Sequence, residues 1–447
     1  MSGLKTAGPI QFHFTVLLSL FLLFSCAKGK DDTEGEDRST PYVKSISPDN
    51  AATGVPTSNT ITITFSKAIP PSQVTVDTDW QCSKNIQIAF DSSYSSCLPL
   101  SSNGGDNASK VFILTPNTKG EKIPSGTKFW VKISSSIKDY YDKDMDADKT
   151  SSFTTETRCT SGCSWSQVTS VGNLTARSGH SGLVFDKKMW LFGGTTGSSY
   201  FKETFNSDNG AWTSNTPPGW SGRENHVSLR FKGKMWVIGG GNSTSSYGDV
   251  WSSSTGLAWN EQTLTNGFSA RQGHAGVVFK NKIWIIGGQN GNTYLNDVYS
   301  SEDGATWTQE SNSSSWSGRY GHATVVYDNK IWVMGGNNSS GDSKEVWYST
   351  DGKNWTQQTS SIVTWDAMKD FGAQVFDGKI WILGGNPRTN KFYTFDGTTW
   401  SGEQDASWSV RSSLFSFRFD NYLWVVGGDN GTGGSTHMND VWKYGKP

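Results

Sequence analysis

The chain has 447 residues, long enough for two or three domains and a large buried core. Its 39 Lys and Arg balance 40 Asp and Glu, and no segment is strongly basic, so the electrostatic footprint that nucleic-acid binding requires is missing. Charged residues make up only 18%, whereas 50 Gly, 21 Trp and abundant Ser, Thr and Asn point to short strands joined by polar turns and argue against a helical protein.

Residues 1–40 read as an address and a tether. Lys5 precedes an apolar run from Phe12 to Phe24, interrupted only by His13, Thr15 and Ser19. The run is too short and too near the N-terminus for a good membrane-spanning helix, and it reads as a signal peptide over residues 1–25. It ends Leu23-Phe24-Ser25-Cys26, which resembles the lipobox of bacterial lipoproteins. That resemblance implies cleavage before Cys26 and lipid modification of it, and so a membrane partner. Phe24 departs from the small residue usual at its slot, and an ordinary secretory peptide cut nearby is the alternative. Residues 26–40 hold Asp31, Asp32, Glu34, Glu36 and Asp37 without a large apolar residue, so a flexible acidic tether is expected. The expected location is the bacterial cell envelope, lipid-anchored at the outer membrane or cell surface.

Residues 41–156 alternate apolar and polar positions in short runs, at Val43–Ile46, Thr60–Phe65, Ile86–Phe90, Val111–Leu114 and Lys128–Ile133. Turn residues such as Pro48-Asp49-Asn50 separate them, and the spacing predicts a β-sandwich. The run Ser45-Ile46-Ser47-Pro48 through Gly54-Val55-Pro56, then Ile61 to Ser66, closing with Ser151 to Thr155, resembles bacterial Ig-like domains, which implies a spacer role. Cys82 and Cys97 enclose fourteen residues, and a bridge there contributes about 3 kcal/mol by loop entropy. Asp142, Asp144, Asp146 and Asp148 alternate like the start of a calcium loop. Ala147 and Phe153 stand where that loop needs Gly and Glu, so a solvated acidic turn is the preferred reading.

From residue 157 the chain repeats one unit six times. Trp-x-x-Gly-Gly recurs with its first glycine at Gly193, Gly239, Gly287, Gly335, Gly384 and Gly427, at spacings of 46, 48, 48, 49 and 43. Each copy has an apolar tetrad such as Ile283-Trp284-Ile285-Ile286, apolar on both faces and so buried on both, as in stacked blades. Arg-x-x-His precedes it at Arg177/His180, Arg223/His226, Arg271/His274 and Arg319/His322. A polar loop, further strand-like segments and an outer Trp follow. The unit closely resembles the kelch repeat, which implies four strands per blade. The predicted fold is therefore all-β, an Ig-like β-sandwich followed by a six-bladed kelch-type β-propeller over 157–447. Trp165 precedes the first glycine pair, so the segment around it is expected to complete the last blade and close the ring. Cys159 and Cys163 sit just before it, where a disulfide would stiffen the hinge.

The sequence offers little diagnostic chemistry. Four of the six His occupy one repeated slot, which points to a structural role. No Cys lies inside the blades, so the copper site of galactose-oxidase-like propellers has no counterpart, and their seventh blade is missing. The segments Ser301 to Trp307 and Ser349 to Trp355 resemble shortened Asp-boxes of sialidase-type propellers, which form turns away from the active site. No nucleophile and base at diagnostic spacing, phosphate loop or metal motif is seen, so no catalytic residue, metal or cofactor is assigned and no enzymatic turnover is expected.

What remains is a surface. Trp220, Phe268, Trp316, Trp365 and Trp408 enter the inner strands, and Ser-, Asn- and Gly-rich loops such as Gly241–Gly248 emerge on the same face. This face is the candidate for a protein or glycan ligand, with packing between blades as the alternative for the aromatics. Blade five is read with Lys369 and Gly372 in the Arg and His slots and with Arg388 after its glycine pair. Blade six has Leu414 in the His slot and His437 in a long loop. These departures place the expected patch near blades five and six. The reading is a monomeric envelope protein that binds a ligand. Its rivals are a polysaccharide-acting enzyme, which would lose activity on alanine substitution at Glu224, Asp370 or His437, and a purely structural component.

Overall fold

The computed structural model describes residues 39–446 apart from 79–81, 91, 93, 95–96, 104–108, 117–122, 160, 312–313, 360–364, 403 and 432–435. The expected signal peptide, Cys26 and all but the end of the tether lie outside the described residues. Thr40–Pro447 is one compact unit.

Its first part consists of β1 (Val43–Ser47), β2 (Ala52–Val55), β3 (Ile61–Phe65), β4 (Ile86–Ala89), β5 (Leu100–Asn103), β6 (Val111–Pro116), β7 (Lys128–Ile133) and β8 (Lys149–Thr155). They form two sheets, in the orders β1-β3-β6-β5 and β2-β8-β7-β4, with only β2 and β8 parallel. Period-two alternation explains the sandwich. Ile61, Ile63 and Phe65 of β3 and Phe129, Val131 and Ile133 of β7 point inward and share one core. β2 and β5 complete the sheets although turn residues such as Gly54 and Pro56 disguise the first of them. Cys82 and Cys97 are bonded, as are Cys159 and Cys163. In the acidic run, Asp142 pairs with Lys138 and Asp148 with Lys132.

Six four-stranded antiparallel sheets follow, each led by an inner strand: Ser181–Phe185, Val227–Phe231, Ala275–Phe279, Ala323–Tyr327, Gly372–Phe376 and Phe415–Phe419. Each inner strand packs on the next, and the sixth returns to the first, which makes a closed six-bladed propeller. In the last blade, β9 (Ser164–Gln167) pairs with His437–Gly445, Trp165 opposite Tyr444, so both ends of the propeller share one sheet.

The repeat residues hold these sheets together. The indole N–H of Trp190, Trp236, Trp284, Trp332, Trp381 and Trp424 donates to the carbonyl five residues earlier, across the inner hairpin, at 2.8–3.1 Å. Both glycines of each pair have left-handed φ, 58–61° and then 89–127°, which only glycine adopts freely. They also leave no room for a side chain. A Cβ at Gly239 would lie 2.8 Å from the His274 ring of the next blade, and one at Gly240 would lie 2.6 Å from Cβ of His226 in its own. Buried Arg177, Arg223, Arg271, Arg319 and Arg411 donate to the carbonyl of the first glycine sixteen residues on, at 2.6–2.9 Å. Arg223, Arg271 and Arg411 also grip Asp249, Asp297 and Asp440 through both carboxylate oxygens, and Arg319 pairs with Glu345.

This geometry corrects the reading of blade five. Met368, sixteen residues before Gly384, occupies its Arg slot, and Phe371 its His slot, in place of Lys369 and Gly372. Lys391 stands where the other blades have the acid, its carbonyl accepting from Gly384 as that of Asp249 does from Gly239. The buried pair is thus replaced as a unit, which avoids stranding one charge.

The Ig-like domain meets the propeller where the inner strands end. The Asp377 carboxylate accepts from the backbone N–H groups of Arg158 and Cys159, at 2.8 and 2.7 Å. Gly126 abuts Asp377 and Gly378 so closely that a Cβ there would overlap their backbone.

The seam histidines also set a pH dependence. Burial first, and the neighbouring arginine second, lowers His180, His274 and His322 from 6.5 to about 3, and the same causes hold His226 well below 6.5. The unfolded chain takes up these protons near pH 6.5 and the folded chain only near pH 3, so stability present above 6.5 is lost on acidification. Each histidine contributes up to about 1.4 kcal/mol per pH unit in that window. His274→Leu, which copies blade six, should fold and should lose less melting temperature between pH 7 and pH 5 than the parent. Equal losses by scanning calorimetry would sink this account.

Candidate functional site

The inner strands surround an axial cavity of about 1120 Å³, lined by all six blades and, at the far end, by Phe90, Leu98, Lys128 and Trp130 of the Ig-like domain. At the near end, where the inner strands begin, the cavity stops at the His slots and a backbone ring lies just beyond. Gly179 N–H donates to Ser413, Asn225 to Gly179, Gly273 to Asn225, Gly321 to Gly273, Asp370 to Gly321 and Ser413 to Asp370, at 2.6–3.0 Å. All six residues have φ between 53 and 63°. Gly, Asn and Asp, which tolerate this conformation, fill five of the six places.

Each ring residue is the second of the two between the Arg and His slots. The first is Ser178, Glu224, Gln272, Tyr320, Lys369 or Ser412, and it bridges Thr195, Gly241, Gln289, Asn337, Asn386 or Asp429, two residues beyond the first glycine of the pair. Three positions per blade therefore build one mouth. The slots on either side are fixed by packing, so these positions are free to carry chemistry.

Glu224 on blade two and Asp370 on blade five stand on opposite blades of the ring. Burial, with the charge of Asp370 second, pushes Glu224 up to about 7. Burial pushes Asp370 up to about 6, against Lys369 and with Asp342. Glycines make room for the side chains. A Cβ at Gly179 would lie 2.8 Å from Oε2 of Glu224, one at Gly273 would lie 3.2 Å from Tyr320, and one at Gly321 would overlap Oδ1 of Asp370. Lys369 donates from Nζ to the Tyr320 hydroxyl at 2.6 Å and lies 4.7 Å from its ring centroid. Tyr320 in turn stacks on Tyr294, with centroids 5.6 Å apart and planes 19° from parallel. The result is a half-buried cluster of two carboxyl groups, an ammonium, two phenols and amides, suited to proton transfer and to holding a polyhydroxylated ligand. No group of three potential metal ligands occurs among the described residues.

The residues singled out from sequence divide. Lys369 lies at the mouth. Trp220, Phe268, Trp316, Trp365 and Trp408 do not line a surface, being only 1–5% exposed. They pack edge-on or tilted against the outer Trp of their own blade, Trp220 on Trp259 at 4.8 Å, Phe268 on Trp307 at 4.9 Å and Trp408 on Trp165 at 4.1 Å. Leu174 takes that place in blade one. Their function is to fill the blade, and the binding-face reading of them is corrected. Arg388 is ion-paired with Asp429. His437, half-buried, begins the last blade's third strand opposite Asp429. Sequence reasoning assigned no site role to Gln272, Tyr294 and Tyr320, and treated Glu224 and Asp370 only as a rival's test. The usable signal was the variable pair inside an otherwise regular Arg-x-x-His. Trp316→Ala should therefore lower stability by about 3–5 kcal/mol in urea denaturation, as core aromatic truncations do. A change under about 1 kcal/mol would return Trp316 to the surface.

Residues 252–409 match the model of the KLHDC2/KLHL20/DRC7 Kelch-repeats domain, and residues 37–155 that of a bacterial Ig-like domain. Among solved structures, that of YjhT is similar at 17% identity and a TM-score of 0.51, over 61% of this chain and 96% of that one. At this identity the likeness shows the shared fold. No curated protein matches the chain. The expectation of a protein without enzymatic turnover is corrected by this match together with the mouth. The fold shared with YjhT leaves activity to be decided by the residues at the mouth, and here those include a carboxyl pair with raised proton affinities.

Proposed function

We propose that this chain, a bacterial Ig-like domain followed by a kelch-repeat β-propeller, recognises a glycan at the channel mouth, outside the cytoplasm and tethered to the cell envelope through a lipid on Cys26. The observation that carries the reading is the stacked Tyr294–Tyr320 pair with Lys369 against it, on the same ring that carries Glu224 and Asp370. A sugar ring has apolar C–H faces and a belt of hydroxyl groups. Aromatic faces complement the first, and carboxyl, amide and ammonium groups complement the second. Gln272, Gln289 and Asn337 ring the same opening. The setting is supported by two disulfides, which persist in oxidising compartments, and by Leu23-Phe24-Ser25-Cys26. The Ig-like domain sits at the other end of the axis, so the mouth is left open to a large ligand.

Titration of the purified chain against a panel of soluble polysaccharides and oligosaccharides tests this. Saturable binding is expected, weakened about tenfold or more in Tyr294→Ala and Tyr320→Ala, since each removes part of the stacking platform. Both tyrosines are half-buried and lie outside the blade cores, so melting temperatures should stay near that of the parent. Binding that neither change affects would move the site elsewhere.

A further inference from the structure

We infer that the mouth hydrolyses the glycan it takes up, with Glu224 as proton donor and Asp370 as the base that activates water. The inference rests on the glycan reading above. In a ring of six, blades two and five are opposite each other, so the carboxyl groups of Glu224 and Asp370 approach one ligand from two sides. Tyr294 of blade three and Tyr320 of blade four occupy the arc between them and offer a platform for the sugar ring. The glycines that clear Glu224 and Asp370, Gly179 and Gly321, belong to the preceding blades one and four. Each reactive group is thus seated over the hydrogen-bonded ring by its neighbour, which fixes where it points.

Two carboxyl groups are the pair that glycoside hydrolysis uses, and their placement on opposite blades, one on each side of the ligand, is the arrangement of the inverting course. The Glu224 proton passes to the glycosidic oxygen as the bond from that oxygen to the anomeric carbon breaks, its electron pair staying on oxygen. A water oxygen forms the new bond to the anomeric carbon from the other side, and the Asp370 carboxylate takes the water proton. The products are an alcohol and a hemiacetal of inverted configuration. Proton exchange with solvent resets the pair, and water is the only co-reactant. The division of roles agrees with the environments, because burial and the charge of Asp370 hold the proton on Glu224, whereas Lys369 favours the ionised form of Asp370.

The experiment measures reducing-end release by the purified chain from each polysaccharide it binds, between pH 5 and pH 8. Release is expected with a bell-shaped pH profile, and with a loss of about 100-fold or more in Glu224→Gln and in Asp370→Asn. Both isosteric variants should keep the parent's melting temperature and still bind glycan saturably, so that the loss falls on turnover. Saturable glycan binding without release, or release undiminished in both variants, would overturn hydrolysis and leave the binding reading intact. Absence of glycan binding would overturn both.

Discussion

The propeller depends on one hydrogen bond made six times between blades. The N–H of the second glycine of each pair donates to the carbonyl of the Arg-slot residue in the following blade, at 2.8–2.9 Å, and Gly428 completes the set by donating to Arg177. The bond needs a left-handed backbone with no side chain, and Gly-Gly supplies both. The histidine of the next blade then packs on the first glycine, and the arginine of the glycine's own blade donates to that glycine's carbonyl. Blade five shows which part is essential. Met368 and Phe371 replace both side chains, yet the Gly336 N–H still reaches the Met368 carbonyl. The backbone bond is the constant, and the side chains around it are one of several ways to fill the seam.

The mouth follows from the same bond. Once the residues before and after it are fixed, the two between them must cross the axis, and six such crossings meet as the ring from Gly179 to Ser413. Their backbone groups are satisfied within the ring, which frees the side chains to face the opening. Seam and mouth also treat charge differently. The seam keeps its histidines neutral and pairs four of its five arginines with carboxylates, whereas the mouth holds Glu224 and Asp370 together with a raised affinity for protons. Like carboxyl groups half-buried in one site are costly to ionise, and such groups are suited to proton transfer.

The fold class was legible because two periods dominate the sequence, two residues in the sandwich strands and about 47 in the propeller. The site was much less so. Tryptophan at the inner-strand entry has the composition of a binding surface and the geometry of a core, and only the contacts of Trp316 or Trp408 distinguish the two. Reading blade five by charge put Lys369 in the Arg slot, whereas the distance to the glycine pair puts Met368 there. That single step moves Lys369 and Asp370 into the crossing pair, where Glu224 and Tyr320 also lie. Spacing from an invariant backbone feature was the better ruler, since hydrogen-bond geometry tolerates no slippage and residue type does.

The contact at Asp377 has a mechanical meaning. The strand that closes the ring, β9, is held to Trp442, Lys443, Tyr444 and Gly445 by one edge of pairing, and it lies only a few residues after the Ig-like domain. A chain pulled from its N-terminal side would load that edge and peel it bond by bond. The Asp377 carboxylate grips Arg158 and Cys159 ahead of β9, and the Cys159–Cys163 bond shortens the slack between grip and strand. Force arriving through the Ig-like domain is thus carried into the body of blade five before it reaches the closure, so the propeller's most peelable strand is shielded from tension.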